Sequence, residues 1–246
     1  MRIAVAGGTG TVGRHVVDVA RDGGHEVVVL SRSTGVDLVA GIGLDAALQG
    51  VDAVIDVSST STQSAAESER FLGTVTRNLL AAEKSAGVGH HIALGIVGSL
   101  DAPFGYYAGK KVQEELVAGG PVPFTILRAT QFHEFAQQLH GGFTVGPVIL
   151  VPMMVSQPIA AREVAERLVH LASGAPSGRV ADLAGPRVER MSRMVRVYGR
   201  ATGTRAPVVV VPLPGGFGKA MHDGTTLAQP GADLGRQTFD EWIATL

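Results

Sequence analysis

Short apolar runs rich in β-branched residues alternate, through the first half of the chain, with longer stretches whose apolar positions recur every three to four residues. The runs Arg2–Ala6, Glu26–Leu30, Asp52–Val57, His91–Val97 and Phe124–Leu127 show little polar alternation, the pattern of strands buried on both faces. Between them, Thr11–Arg21, Leu44–Gln49, Ala65–Ala86 and Tyr106–Ala118 carry helical spacing. This alternation predicts an α/β fold built on a doubly wound parallel sheet. After Thr130 it fades. Arg162–Ala172 is the clearest later helix, Pro207–Leu213 reads as a strand closed by prolines, and Asp240–Ala244 as a short last helix. No repeat or low-complexity linker interrupts the chain, so residues 1–135 are expected to form the main domain and 136–246 a small lobe packed on the sheet.

Composition narrows the chemistry. The 246 residues are 45% hydrophobic and 17% charged, enough for a core without staples and far from a disordered composition. A net charge of −1 leaves no footprint for nucleic acid or anionic lipid, and neither is expected as a partner. The absence of cysteine excludes disulfides, thiolate nucleophiles and cysteine-ligated metals. The eight histidines fall at no ligand spacing, so no metal is expected. The chain opens directly on a strand-like run, which predicts a cytoplasmic protein without a leader. Phe135–Ala161 contains no Asp, Glu, Lys or Arg and is long enough to span a bilayer. Its prolines at 147, 152 and 158 would break a spanning helix, so this segment, with Phe143, Val148, Ile149, Leu150, Met153 and Met154, is expected to be the wall of an apolar pocket, a subunit interface, or core.

The run AGGTGTVG directly follows the first strand and opens a helix. It satisfies two glycine spacings, one through Gly8, Gly10 and Gly13 and one through Gly7, Gly10 and Gly13. Either gives a tight turn, a bare backbone beside a pyrophosphate and a helix N-terminus facing the phosphates. Gly7, Thr9, Gly10, Thr11, Val12 and Gly13 are therefore candidate dinucleotide contacts. At the end of the second strand the chain offers Ser31, Arg32 and Ser33. A guanidinium fork and two hydroxyls suit a 2′-phosphate, predicting NADP(H) in preference to NAD(H). In the alternative reading Arg32 is solvated and Asp37 holds an unmodified ribose.

A helix opening GYYAGKK, residues 105–111, gives two overlapping Tyr-x-x-x-Lys pairs, Tyr106 with Lys110 and Tyr107 with Lys111. Residues four apart share a helix face, so the ammonium is expected to lower the phenol's pKa. Such a phenol exchanges a proton with a carbonyl or hydroxyl oxygen during hydride transfer. Neither pair lies on the expected core stripe, Ala108, Gly109, Val112 and Leu116, but Tyr106 and Lys110 share their flank with Val117 and Gln113, which favours the first pair, whereas the second shares its side with Glu114 and reads as more solvated. Glu114–Glu115 and Arg187–Arg193 read as solvated helix charges.

With these motifs the chain resembles the short-chain dehydrogenases/reductases, specifically the atypical NmrA-like group of NAD(P)-binding proteins. The resemblance runs over nearly the whole length, through Gly7–Gly13, Ser31–Arg32, Asp52–Ser59, Asn78–Leu80, Tyr106–Glu114, Phe124–Phe135, Gln157–Ala165 and Ala181–Pro186. It implies a Rossmann domain with a small C-terminal substrate lobe. It also implies cofactor contacts from Val57 and Ser58, with Thr130, Gln131 and Phe132 near the nicotinamide. Lys110 would bind the nicotinamide ribose. Family enzymes commonly hold Ser or Thr near the end of the strand before the tyrosine helix, where this chain has Gly95; Ser99 lies close by. His133 is either a donor to a substrate oxygen or a structural histidine.

The residues thus predict an NADPH-dependent reductase of a small apolar carbonyl, enone or quinone, with Tyr106, Lys110 and Ser99 at the reacting centre. The alternative is a non-catalytic NADP(H) sensor acting through a protein partner. An epimerase or dehydratase suits the charge-free segment less well. A homodimer is a further expected association.

Overall fold

The computed structural model describes residues 1–142 and 144–246; Phe143, named above with the charge-free segment, lies outside them. The chain runs β1 (Arg2–Ala6), α1 (Thr11–Asp22), β2 (Glu26–Leu30), α2 (Leu44–Ala47), β3 (Ala53–Asp56), α3 (Ala65–Ala86), β4 (His90–Ile96), α4 (Tyr106–Ala118) and β5 (Phe124–Ala129). Then come α5 (Phe135–Gly142), β6 (Thr144–Val145), β7 (Val148–Pro152), β8 (Val155–Ser156), α6 (Ala161–Ala172), β9 (Gly178–Arg179) and β10 (Leu183–Ala184). The last elements are β11 (Glu189–Arg190), α7 (Met191–Ala201), β12 (Val208–Val211), α8 (Gly215–His222), β13 (Asp233–Leu234) and α9 (Phe239–Ile243).

Two compact units result: Met1–Arg128 with Arg162–Ala181, and Ala129–Ala161 with Asp182–Leu246. The sequence placed one boundary at 135/136. The chain instead leaves the first unit after Arg128 and returns to it for α6 and β9, because β9 pairs in parallel with β5.

In the first unit the strands lie in the order β2-β1-β3-β4-β5. The pairs β1–β2, β1–β3 and β3–β4 are parallel. From β1 the chain passes outward to β2, then back across β1 to β3. The carboxyl ends of β1 and β3 therefore flank the crevice where such sheets bind ligands. Ile3, Ala4, Val5 and Ala6 are all buried, as are Ala53, Val54 and Ile55, which explains the unbroken apolar runs. Helix α1 packs through Val12, Val16, Val17 and Ala20, the stripe its spacing predicts. Helix α3 starts at Ser64, whose hydroxyl accepts from the Glu67 amide, and ends at Gly87 in the left-handed conformation.

Helices α3 and α4 approach closely at Gly109, where an added Cβ would lie 2.1 Å from the Ser68 hydroxyl oxygen. That hydroxyl donates to the Tyr106 carbonyl at 3.0 Å, pinning the first turn of α4. The buried face of α4 differs from the predicted stripe. It comprises Tyr107, Ala108, Gly109, Lys110, Gln113, Glu114 and Val117, whereas Val112 and Leu116 are half-buried. Polar side chains occupy this face because each finds a partner inside, a feature invisible to hydrophobic periodicity. Glu114 is accordingly not a solvated charge: it is buried and bonded by Arg128 and Arg179. Those guanidiniums, against the cost of burial, hold its carboxyl below the usual value.

In the second unit, β12 lies parallel to β7, and β6 pairs antiparallel with β7 on its other side. The core joins Ala136, Leu139, Ile149, Val151 and Met154 to Met191, Met194, Val195, Met221, Phe239 and Trp242. Much of the charge-free segment is thus ordinary core, although Val145 and Met153 are exposed. Among the described residues, no helix is long and apolar enough to cross a membrane.

Candidate functional site

The glycine turn sits at the sheet's switch point, and the structure decides between its two spacings. Gly7 has φ of +79°, and a Cβ there would meet the Val57 carbonyl oxygen at 2.8 Å and the Ser58 amide at 2.9 Å. A Cβ on Gly13 would fall 2.0 Å from the Gly7 carbonyl oxygen. Gly10 donates to the Gly7 carbonyl and stands at the N-cap of α1. The Gly7, Gly10 and Gly13 spacing is therefore the one the turn requires, and it brings Val57 and Ser58 against it. No side chain caps α1 and no acid lies in its first turn, so its N-terminal amides at Thr11, Val12 and Gly13 suit an anionic group. Thr9 is exposed in the turn.

Beyond β2, residues 32–34 form a single 3₁₀ turn capped by Ser31. The Ser31 and Ser33 hydroxyls lie 2.9 Å apart, and Arg32 is exposed beside them. Asp37 is engaged in its own loop, where Oδ1 accepts from the amides of Val39 at 2.9 Å and Ala40 at 3.0 Å.

Helix α4 carries the second cluster. Lys110 is buried, and its Nζ donates to the carbonyls of Ser58 at 3.1 Å and Leu94 at 3.0 Å and to Gln113 Oε1 at 2.8 Å. Gln113 Nε2 in turn donates to Asp56 Oδ2 at 2.7 Å, and Asp56 Oδ1 accepts from the Ser58 amide at 2.9 Å. This chain links the carboxyl end of β3 to the lysine. Sequence reasoning missed both intermediates. Their traces were an aspartate ending the apolar run of β3 and a glutamine one turn after Lys110.

One expectation for this pair needs correcting: the ammonium does not lower the phenol's pKa. Burial lowers Lys110 to about 8, against the attraction of Asp56. The phenol of Tyr106 is pushed up rather than down, chiefly by burial, then by the Asp56 carboxylate and Tyr107. The reason is geometric: Lys110 Nζ stands 6.0 Å from the Tyr106 ring centroid and gives its three protons to oxygen acceptors elsewhere. Of the second pair, Tyr107 is buried, whereas Lys111 reaches the surface and faces Glu115 at 4.0 Å.

Ser99 follows β4, buried, and among the described residues its hydroxyl oxygen has no hydrogen-bond partner; the Ser58 hydroxyl is in the same condition. Buried polar groups are normally satisfied, so these hydroxyls mark places where an additional group fits. A Cβ on Gly95 would meet the Arg128 side chain at 3.0 Å and Glu114 Oε2 at 3.6 Å. That position therefore serves the buried ion pair.

In the second unit, Thr130 donates its hydroxyl to the Gln157 carbonyl, and Gln131 Oε1 accepts from Ser156 at 2.9 Å. Phe132 bridges in parallel to Ile159. His133 donates through Nε2 to the Gln237 carbonyl at 3.1 Å and packs edge-on against Phe239. Burial lowers it to about 4, the condition of a neutral structural histidine.

A doubly wound sheet whose first strand leads through three glycines to an uncapped helix defines a dinucleotide-binding protein of the Rossmann type. The chain belongs to the NAD(P)H-binding family, whose sequence profile matches residues 7–173, more than half its length. The match agrees with the atypical, NmrA-like short-chain dehydrogenase/reductase resemblance. The chain is 28% identical over 239 residues to the photosystem II assembly factor Ycf39 of Synechocystis sp., covering 87% of this chain and 71% of that protein. Among solved structures it superposes on MoeE5 bound to UDP-glucuronic acid and NAD, with a TM-score of 0.75, 16% identity, and 100% and 97% of the two chains covered. It also superposes on the NADPH-dependent quinone oxidoreductase QOR2 of Escherichia coli, with a TM-score of 0.66, 17% identity and coverages of 99% and 98%.

Proposed function

We propose that the protein is an NADPH-dependent reductase of a small uncharged carbonyl, enone or quinone, with Tyr106 as the proton donor. The observation that carries this reading is the link from the glycine turn to α4: Ser58, whose amide backs Gly7, accepts through its carbonyl from Lys110 Nζ, so the helix that carries Tyr106 is tied to the turn that fits the cofactor, and a tyrosine so placed can give its proton to a developing oxyanion. The glycine turn fits the pyrophosphate through bare backbone and α1 amides, and Arg32 with Ser31 and Ser33 fits a 2′-phosphate. When bound, the cofactor supplies the hydride. Lys110 holds the Ser58 and Leu94 carbonyls together and, through Gln113, fixes Asp56. Its role is to position the turn of α4 that carries Tyr106. Ser99 supplies a hydroxyl without a protein partner to orient the substrate oxygen.

The test is NADPH oxidation by the purified protein against a panel of quinones, enones and ketones, with NADPH and NADH binding measured on the same sample. Cofactor binding with turnover is the expected result. A second reading, a cofactor-binding regulator acting through a protein partner, draws on Lys110, whose protons are all given to protein acceptors, and on the likeness to an assembly factor. NADPH binding without turnover on any of the panel would favour it.

A further inference from the structure

A cavity of about 740 Å³ lies among α5, α7, β7 and the α7–β12 loop, and all its lining residues belong to the second unit. Its volume is that of a small-molecule site. Arg196 and Arg200, one turn apart on α7, and Arg205 in the following loop all line it. Among the described residues no carboxylate lines it, and none of the three arginines forms an ion pair. Arg196 makes one long bond, 3.3 Å, to the Val208 carbonyl. The neighbouring Arg193 contrasts with them, being held by Glu189 and Asp240. From residue 187 to 205 the sequence has six arginines and one glutamate, and that glutamate is taken by Arg193, so it does not offset the three arginines at the cavity.

A second observation points the same way. His140 lines the cavity, and its Nε2 is buried without a hydrogen-bond partner among the described residues. The ring fits because α7 has glycine at 199, where a Cβ would stand 3.1 Å from that nitrogen. Opposite the polar groups, Ile149, Val195, Ala206 and Pro207 supply an apolar wall.

We propose that this cavity binds a small organic oxyanion, a phosphate or carboxylate joined to an apolar body, with the anionic head among Arg196, Arg200 and Arg205 and the body on the apolar wall. Guanidinium forks match both head groups. The site is separate from the glycine turn and does not depend on the reductase reading.

The test is calorimetric titration of the full chain with phenyl phosphate and benzoate, with inorganic phosphate and phenol as the separate halves. At least one of the two joined molecules should bind with 1:1 stoichiometry, tenfold or more tightly than either of its halves; the tighter one identifies the head group. Arg196→Gln with Arg205→Gln should weaken that binding tenfold or more while leaving NADPH affinity and the thermal midpoint unchanged. Arg200→Gln alone provides a milder variant should the double substitution disturb folding. No saturable binding, or binding that survives these substitutions and so belongs elsewhere, such as at the glycine turn, would overturn the proposal.

Discussion

Individual side chains carry the division of labour in the candidate site. Arg32 is exposed on its own turn, so Arg32→Ala should leave the fold intact and weaken NADPH binding about tenfold or more, the worth of a charge-assisted hydrogen bond. NADH binding should be spared, and fluorescence titration with the two cofactors reads both effects. Lys110 makes a prediction through its proton. In the unfolded chain it titrates near 10.5, and in the fold at about 8. Between those values the unfolded state binds more protons, so stability relative to Lys110→Met should rise with pH across this window. Thermal midpoints of both proteins at several pH values check it; a difference that stays flat or falls contradicts a buried, discharging ammonium. The glycine turn and Tyr106–Lys110 were legible in the sequence because each is a local spacing. The upward shift of the phenol was not, because it comes chiefly from burial in the fold and then from Asp56, fifty residues away along the chain.

At the level of elements, helix α4 shows where pattern reading stops. Its ends follow from the sequence, Tyr106 to Ala118 as expected, but its buried face is polar. Gln113, Glu114 and Lys110 look like surface residues until β3, β4 and β5 bring Asp56, Leu94 and Arg128 to them. Helices α5 and α8 escaped recognition for a different reason: α5 ends in Gly-Gly and α8 begins Gly-Gly-Phe-Gly, poor helix signals. The pairing of α3 with β4 yields a pH prediction. His91 and Glu83 are both fully buried, with Nδ1 2.9 Å from the carboxylate. Burial opposes the charged ring, but Glu83 outweighs it and raises the pKa of His91 above 6.5. The stabilisation is therefore complete below about 6.5 and lost as pH rises through the folded value. Urea midpoints should fall over that rise in the wild type. Glu83→Gln should lower stability on the acid side and flatten the dependence; an unchanged slope would remove this pair from the account.

For the whole molecule, the two units interleave in sequence, and this constrains any dissection. A chain ending at Phe135, the boundary suggested by pattern alone, lacks α6 and β9, which belong to the first unit. It leaves β5 without its β9 partner and loses the buried Val164, Ala165 and Leu168. Such a fragment should be less cooperative on thermal melting and should not retain full NADPH affinity. A fragment as stable and as tight as the intact chain would show that the return of 162–181 is dispensable. The measurement closest to the central claim compares wild type with Tyr106→Phe, following NADPH oxidation on a substrate from the quinone, enone and ketone panel and NADPH affinity on the same samples. If the phenol is the acid, turnover falls about a hundredfold or more while affinity stays within about 1 kcal/mol. Turnover unchanged by the loss of the hydroxyl would contradict the assignment.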